Sequence, residues 1–351
     1  MSPFHGGIWL PWGREASSLP LDFSVNLNPW GPPPELRKNW DRLFSYLTFY
    51  PPLELEFYQQ LLARLYPFFP PSAILPGNGA TQIIYLLGRE LEGETVGIVE
   101  PSFSEYRRAF SQAGWTVLPI LAPPLVEEKD VWQAIRDQRP DCLIVGNPPS
   151  PSGFPFSAHF WQEVLSFCRY QKINLIVDEV FQEFMGEESS LASQIEGSRN
   201  LYLVRSLTKY WSLPGLRGGF LASHPQNITA LAPRIEPWSI NSLLAAVLEL
   251  LAASDLAAFQ QITRVNLRTE KQFLEENLPS ELQLFPSRVN FYLVRVETGD
   301  LASFLEEQGI KVRRAQNFWG LDQRFVRLAV RSHSDNEQLV KAVKEFVRNQ
   351  R

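Results

Sequence analysis

The sequence predicts an α/β protein whose main sheet is mostly parallel and covered by helices on both faces. Short apolar runs such as 141–145 and 173–177 are typical of strands that are buried on both faces. The helical pattern of 156–170 lies between these two runs, and such alternation is typical of strand–helix–strand units. The length of 351 residues favours about two domains.

Proline separates the predicted elements, because it ends helices and central strands. Many of the 28 prolines are clustered, as at 32–34, 51–52, 70–71, 123–124 and 148–149. The predicted helices are 35–47, 53–66, 80–91, 104–113, 130–137, 156–170, 239–253, 257–278, 302–308 and 336–348. The predicted strands are 95–99, 116–120, 141–145, 173–177, 201–204, 219–221, 290–296 and 325–330.

The C-terminal part changes to a pattern of mixed strands and helices, which indicates a small α+β domain. We expect an N-terminal arm over 1–35, with the strand-like segment 22–27 joining that small domain. A large domain is expected over 36–235, and linking helices with the small C-terminal domain over 236–351. Ser239 is the expected N-cap of the helix that follows it.

Composition and sequence patterns argue against several classes of protein. A net charge of −5 argues against a general nucleic-acid binder. Cys142 and Cys168 lie in apolar segments and are expected to be buried thiols. The four histidines lack ligand spacing, so we expect no metal. No segment predicts a membrane helix, and residues 1–7 lack the basic and apolar regions of a signal peptide, so a cytoplasmic location is expected.

The segment Arg205-Ser-Leu-Thr-Lys209 is the most informative stretch of the chain. It follows an apolar strand, and Arg217 follows Lys209 by eight residues, before a Gly-Gly pair. Ser206, Thr208 and Arg217 can together bind one phosphate. Lys209 could then form a Schiff base with an aldehyde that carries this phosphate. The alternative is a surface lysine in a loop.

Other polar groups stand at strand ends or helix starts, where ligands bind in open α/β sheets. Gly77-Asn78-Gly79 precedes a helix, whose free N–H groups can bind phosphate, although a purely structural turn is equally compatible. Asp178 ends a buried strand and needs a partner, such as a protonated pyridine nitrogen; an N-cap or loop aspartate is the alternative. After another strand, Phe103, or else Tyr106, could stack on a cofactor ring or simply belong to the core.

These motifs resemble fold-type I pyridoxal-phosphate (PLP) enzymes, in the branch that holds histidinol-phosphate aminotransferases and threonine-phosphate decarboxylases. The resemblance covers nearly the whole chain and implies a seven-stranded-type large-domain sheet, PLP as cofactor and a homodimer. The segments that favour the decarboxylases begin with His5-Gly-Gly7 and continue with 22–29, 205–209, 237–241, 288–292 and 327–332.

The resemblance also implies roles for individual residues. Gly79, Ala80, Thr81, Ser206, Thr208 and Arg217 would hold the cofactor phosphate, together with Tyr50 from the neighbouring subunit. Lys209 would carry PLP, Asp178 would face its ring nitrogen, and Phe103 would stack on its ring. The substrate and its phosphate would contact His5, Asn26, Arg313 and Arg327, of which Arg327 would hold the carboxylate. Surface salt bridging is the alternative for these arginines.

In two places the chain departs from the family pattern. Gly146-Asn-Pro-Pro-Ser150-Pro-Ser-Gly153 resembles the family's Asn-Pro-Thr-Gly turn, with Ser150 where the family has the asparagine that touches the cofactor's ring oxygen. Phe181 stands where the family has a tyrosine that contacts the same oxygen. Both replacements alter hydrogen-bond donors to the same ring oxygen. The sequence leaves open whether they tune the activity or abolish it.

The implied reaction is decarboxylation of O-phospho-L-threonine to (R)-1-amino-2-propanol phosphate for cobalamin biosynthesis, with Lys209 or water as proton donor. An aminotransferase acting on histidinol phosphate or a related amino acid would use the same lysine, aspartate and phosphate site. A PLP-binding homologue with weak or no catalysis is the third reading, motivated by Ser150 and Phe181.

Overall fold

The computed structural model describes residues 5–15, 18–122 and 124–350. Residues 1–4, at the start of the predicted arm, and Pro123, in one of the proline clusters, lie outside the described residues. The helices are α1 Pro34–Lys38, α2 Trp40–Ser45, α3 Leu55–Leu65, α4 Gly79–Glu90, α5 Ser104–Gln112, α6 Glu128–Gln138, α7 Ala158–Gln171, α8 Gln182–Met185, α9 Pro225–Leu231, α10 Ser242–Ala252, α11 Ala257–Asn277, α12 Leu301–Glu307 and α13 His333–Gln350. The strands are β1 Leu21–Asp22, β2 Ile74–Gly77, β3 Thr95–Glu100, β4 Thr116–Leu121, β5 Cys142–Gly146, β6 Asn174–Asp178, β7 Leu201–Ser206, β8 Gly219–Ser223, β9 Gln283–Leu284, β10 Phe291–Arg295, β11 Ile310–Lys311, β12 Arg313–Arg314 and β13 Phe325–Ala329.

The large sheet has seven strands in the order β2-β8-β7-β6-β5-β3-β4, which confirms the expected fold class. All neighbours are parallel except that β8 runs antiparallel to both β7 and β2. Strands β5 to β8 are buried along nearly their whole length, as continuous apolar runs predict. Strand β2 was not predicted from the sequence because it contains Pro76, which this edge strand tolerates.

Polar residues that follow the central parallel strands lie together at one edge of this sheet, the edge formed by the carboxyl ends of these strands. Gly146 pairs with Asp178 at the ends of β5 and β6, and Asp178 pairs with Val204 near the end of β7. Ser206, which ends β7, pairs with Gly219 at the start of β8. The turn after β5, the end of β6 and the Lys209 segment after β7 therefore meet at this edge.

The C-terminal part contributes a four-stranded antiparallel sheet in the order β12-β13-β10-β9. The early strand β1 pairs in parallel with β11, Leu21 opposite Ile310, so the N-terminal segment joins C-terminal elements at this point. Within the predicted 22–27 segment only Asp22 belongs to a strand. The domain division itself stays a prediction.

Two predicted helix boundaries were wrong. The expected helix 35–47 is divided at Asn39 into α1 and α2. The expected helix 239–253 begins only at Ser242, because Asn241, and not Ser239, caps it by accepting a hydrogen bond from the Leu244 N–H at 2.8 Å.

Within the described residues no single helix is long and apolar enough to cross a membrane. The pair Ser242–Ala252 and Ala257–Asn277 meets the length and composition test only when joined, and it is bent by 95°.

Candidate active site

One cavity of about 450 Å³ collects most of the predicted site residues. Its lining includes His5, Ala80, Thr81, Phe103, Ser150, Asp178, Ser206, Thr208, Lys209, Arg217, Arg313 and Arg327. Three further candidates, Gly79, Asn26 and Tyr50, are not part of the lining that the described residues form. The cavity therefore unites segments from both ends of the chain.

Lys209 lies just beyond the end of β7 and is partly buried in the wall of the cavity. Its backbone carbonyl accepts a hydrogen bond from the Asn28 N–H at 2.9 Å, which fixes the turn. The pKa of its amine is lowered to about 8, first by burial and then by the positive charges of Arg327 and Arg217, against an opposing effect of Asp178. Part of this amine is therefore unprotonated near neutral pH, as attack on an aldehyde requires.

The N-terminus of α4 is available to an anion. The N-cap residue Asn78 makes no side-chain capping hydrogen bond within the described chain. By contrast, Ser157 caps α7 by accepting a hydrogen bond from the Phe160 N–H at 3.1 Å. The first-turn N–H groups of α4 thus remain for a ligand such as phosphate.

Close contacts explain two glycines beside this helix end. A Cβ atom on Gly79, whose φ is +82°, would lie 2.6 Å from Nη2 of Arg217. A Cβ atom on Gly219 would lie 2.6 Å from the backbone nitrogen of Ala80. Arg217 therefore sits directly against the start of α4. The Ser206 hydroxyl, on the strand that pairs with β8, accepts a hydrogen bond from the Thr208 N–H at 3.1 Å.

Asp178 is held at the end of β6 by two donors. The Tyr106 hydroxyl donates to Oδ2, and the Val180 N–H donates to Oδ1 at 2.8 Å. Burial raises the pKa of Asp178 to about 6, while the hydrogen bonds from Tyr106 and Val180 act in the opposite direction. The carboxylate is thus largely ionised at neutral pH and can pair with a cationic ring nitrogen.

The same contacts separate the two aromatic candidates. Tyr106 uses its hydroxyl to support Asp178, whereas Phe103 lines the cavity with its ring 5.7 Å from the Tyr106 ring. The sequence analysis missed this support for Asp178. No local pattern marks it, because the two residues are 72 positions apart.

Ser150, in the turn after β5, accepts a hydrogen bond from Nη1 of Arg327 at 2.8 Å. Asn147, in the same turn, donates its side-chain amide to Glu179 and to the Ser189 carbonyl, and it is not among the residues that line the cavity. Phe181 lines the cavity and packs edge-on against Phe291, 4.9 Å between ring centroids. The turn after β5 therefore holds Arg327 in place through Ser150.

Arg327 and Arg313 are direct cross-strand partners on β13 and β12. Burial, and after it the charge of Arg313, together lower the pKa of Arg327 to about 9; burial lowers the pKa of Arg313 to about 10. Arg327 donates from Nη2 to the Ser24 carbonyl at 2.9 Å, but its Nε is buried without a partner among the described residues. Like charges at directly opposite positions of a strand pair repel each other, and a substrate anion beside them would reduce this repulsion.

Two further arginines of this region make ordinary salt bridges. Arg314 pairs with Asp300 at 3.0 Å at the surface, and Arg331 pairs with Asp335 at 3.0 Å.

The remaining candidates are placed differently from one another. His5 lies with Nε2 2.9 Å from Oε1 of Glu105 at the cavity wall. Asn26 is buried, and neither of its amide atoms has a hydrogen-bond partner within the described part of the chain. Tyr50 is 83% exposed and lies 5.3 Å from the ring of Trp238.

A buried ion cluster lies beneath the Lys209 segment. Arg205 has no exposed surface and bonds Glu179 at 2.9 Å and Glu187 at 2.7 Å. Glu183 accepts a hydrogen bond from the Tyr66 hydroxyl at 2.7 Å, and burial raises the pKa of Glu183 to about 7. Arg205, which opens the sequence motif, thus anchors β7 and is not part of the cavity lining that the described residues form.

These residues fit PLP. The α4 N-terminus, which has no side-chain cap within the described chain, and Arg217 could together hold a phosphate, at a turn where the φ of +82° at Gly79 favours glycine. A partly buried lysine with a pKa of about 8 and an ionised Asp178 line the same cavity. Among the described side chains, no group of three or more His, Cys, Asp and Glu is arranged to bind a metal ion.

Residues 20–346 match the aminotransferase class I and II family. The threonine-phosphate decarboxylase of Salmonella typhimurium is 34% identical over 93% of this chain and 91% of its own length. The adenosylcobalamin biosynthesis bifunctional protein CobDQ of Leptospira interrogans is 28% identical over 97% of this chain, which spans 40% of that longer protein. The crystal structure of the histidinol-phosphate aminotransferase from Clostridium acetobutylicum superposes with a TM-score of 0.84 at 27% identity, covering 94% of this chain and 99% of that one.

Proposed function

Since this chain belongs to the aminotransferase class I and II family and is a PLP-dependent enzyme, we propose that it is a threonine-phosphate decarboxylase. Its substrate is O-phospho-L-threonine, and its products are CO2 and (R)-1-amino-2-propanol phosphate. The similarity to a decarboxylase and to an adenosylcobalamin biosynthesis protein supports a role in making the cobalamin nucleotide loop.

The observation that carries this proposal is the pair formed by Arg313 and Arg327. Both guanidinium groups line the cavity of Lys209, and they face each other across two adjacent strands. A small substrate that carries both a carboxylate and a phosphate supplies two anionic groups for two such cations. Arg327, which Ser150 and the Ser24 carbonyl hold in place, is assigned to the carboxylate.

Several residues of the cavity would hold the cofactor. The α4 N-terminus at Gly79, Ala80 and Thr81, with Ser206, Thr208 and Arg217, would bind its phosphate. Asp178 would pair with the ring nitrogen, and Phe103 would cover one face of the ring. When bound, PLP supplies an aromatic ring that accepts the electron pair left on Cα as the carboxylate departs.

The protein's own groups prepare this step. Tyr106 keeps Asp178 oriented and lowers its pKa, so that its negative charge is present at neutral pH. Lys209 Nζ, with a pKa of about 8, can exchange a proton with the substrate near neutral pH. The proton that replaces the carboxylate on Cα comes from this amine or from water.

We further propose that the enzyme is a homodimer and that Tyr50 contacts the cofactor phosphate of the neighbouring subunit. Tyr50 and six other large apolar side chains, from the segment 40–53 and from Trp238, are about half or more exposed, which is typical of an interaction surface; the six are Trp40, Phe44, Leu47, Phe49, Leu53 and Trp238. The test is a hybrid of Lys209→Ala and Tyr50→Ala subunits. One of its two sites would be intact, so the hybrid should recover activity that each parent lacks.

A histidinol-phosphate aminotransferase is the second candidate, favoured by the similarity to the Clostridium acetobutylicum enzyme. Both activities would use Lys209, Asp178 and the phosphate site, and they differ in which bond to Cα breaks. A PLP-binding protein with weak or no catalysis is the third candidate, because Ser150 and Phe181 replace the family's usual donors to the ring oxygen.

The deciding experiment is an assay of PLP-loaded protein with O-phospho-L-threonine and no oxo acid. Release of CO2 together with aminopropanol phosphate would support the decarboxylase. Conversion of 2-oxoglutarate to glutamate with histidinol phosphate, without CO2, would replace it by the aminotransferase. Absence of both reactions in a protein that binds PLP would favour the third candidate.

A further inference from the structure

We propose that Glu105 is a positioning residue for substrate binding, because it holds the segment His5–Gly7 across the substrate side of the cavity. We call this three-residue segment the N-terminal strap. The inference rests on the proposed function only in taking the cavity around Lys209 as the site of a small anionic substrate.

Glu105 is a nearly buried carboxylate with two strong partners. Its Oε1 lies 2.9 Å from Nε2 of His5, and its Oε2 accepts a hydrogen bond from the Tyr85 hydroxyl at 2.8 Å. Arg108 Nη1 is 3.8 Å from Oε2. The Glu105 side chain is 9% exposed, against 44% for His5. Helices α4 and α5 therefore fix the carboxylate, and the carboxylate in turn holds the more exposed partner, His5.

The strap is anchored on its other side to Ser24, in the N-terminal segment, and to Lys311 of β11. The Gly7 N–H donates to the Ser24 hydroxyl at 2.8 Å, and Lys311 Nζ donates to the Gly7 carbonyl at 2.8 Å. Gly6 lies so close to Ser24 that a Cβ atom would be 2.4 Å from the Ser24 carbonyl oxygen. The strap thus joins α5 on one side to β11 on the other.

This bridge bears on the substrate-binding residues. His5, Gly6, Ser24 and Glu105 all line the same cavity as Lys209. The Ser24 carbonyl that contacts Gly6 also accepts the hydrogen bond from Arg327. His5 contacts Glu105 through Nε2, which leaves Nδ1 as the ring nitrogen that would contact a substrate. Loss of Glu105 should release His5 and loosen the strap, so that substrate binds less tightly while Lys209 and Asp178 are unaffected.

The experiment compares Glu105→Ala and His5→Ala with a matched control, Glu337→Ala. Glu337 also contacts a histidine, His333 at 3.6 Å, but on α13 at the surface, away from the cavity lining. The PLP-loaded variants are compared by hydrogen–deuterium exchange at the Gly7 amide and by steady-state kinetics with O-phospho-L-threonine.

We expect Glu105→Ala to raise KM about tenfold with little change in kcat, as expected for one charge-assisted hydrogen bond. Exchange at Gly7 should accelerate by a similar factor, and PLP content should stay at the wild-type level. His5→Ala should give the same KM effect, and the double variant should be no worse than either single one. The control should match the wild type.

Unchanged exchange at Gly7 and an unchanged KM in Glu105→Ala would overturn the proposal, as would additive effects of the two substitutions. If Glu105→Ala fails to fold, Glu105→Gln and His5→Ala provide the same comparison. If the wild type does not turn over O-phospho-L-threonine, the proposed function fails. The exchange measurement needs no turnover and still decides whether Glu105 holds the strap.

Discussion

The lowered pKa of Lys209 predicts how fast the cofactor-free protein combines with PLP at each pH. With a pKa of about 8, about a tenth of the amine is unprotonated at pH 7, against about 3 in 10,000 for an amine at the ordinary 10.5. Since only the unprotonated amine attacks an aldehyde, the reaction at pH 7 should be about 300-fold faster than for an ordinary lysine.

The charge of Arg327 is the largest charge effect on this pKa, after burial. Arg327→Met should therefore raise the pKa of Lys209 by on the order of one unit. The reaction rate at pH 7 would then fall about tenfold, with little change above pH 10. Arg314→Met is the control, because Arg314 pairs with Asp300 at the surface.

The assay follows visible absorbance after PLP is mixed with cofactor-free protein across pH 6 to about 11. Lys209→Ala should develop no such band. A rate that rises only near pH 10.5 in the wild type would refute the assignment of a perturbed lysine. A shift of the Arg327→Met profile to lower pH would refute the electrostatic explanation.

Three other substitutions test separate parts of the site. Tyr106→Phe removes a hydrogen-bond donor to Asp178, so the pKa of Asp178 should rise by about one unit. The pH below which the affinity for PLP falls should rise by the same amount. Gly219→Ala places a Cβ 2.6 Å from the Ala80 nitrogen, so the affinity for PLP measured by titration should fall at least about tenfold; an unchanged affinity would contradict the tight phosphate site. The raised pKa of Glu183, about 7 against an ordinary 4.5, means that stability falls as pH rises from about 4.5 to 7. In urea unfolding, Glu183→Gln should reduce the change in the free energy of unfolding over this pH range by up to about 3 kcal/mol. If the variant keeps the full pH dependence, Glu183 is not its source.

The fold and the ends of the central strands could be predicted because they depend on local patterns. Buried parallel strands are continuous apolar runs, and Asp178 and the Lys209 segment follow such runs directly. The edge strand β2 could not be recognised, since Pro76 and the glycines around it are typical of a turn. Its strand conformation comes from pairing with β8, which is distant in the sequence.

The contacts that tune the site were the least predictable part. The hydrogen bond from Tyr106 to Asp178, the cross-strand pair of Arg313 and Arg327, and the link from Glu105 to His5 all join distant segments. Residue types and resemblance indicate which groups lie at the cavity. Their mutual contacts depend on strand register and helix packing, which no local pattern encodes.

The pairing of β2 with β8 also affects when a newly made chain can take up its cofactor. Gly77 at the end of β2 leaves the ribosome long before Gly219, its partner at the start of β8. The proposed phosphate site between α4 and Arg217 can form only after β8 has been synthesised and β2 has docked beside it. PLP therefore binds only after the large sheet is complete. Its binding stabilises the folded protein by mass action, but it does not stabilise partly folded chains.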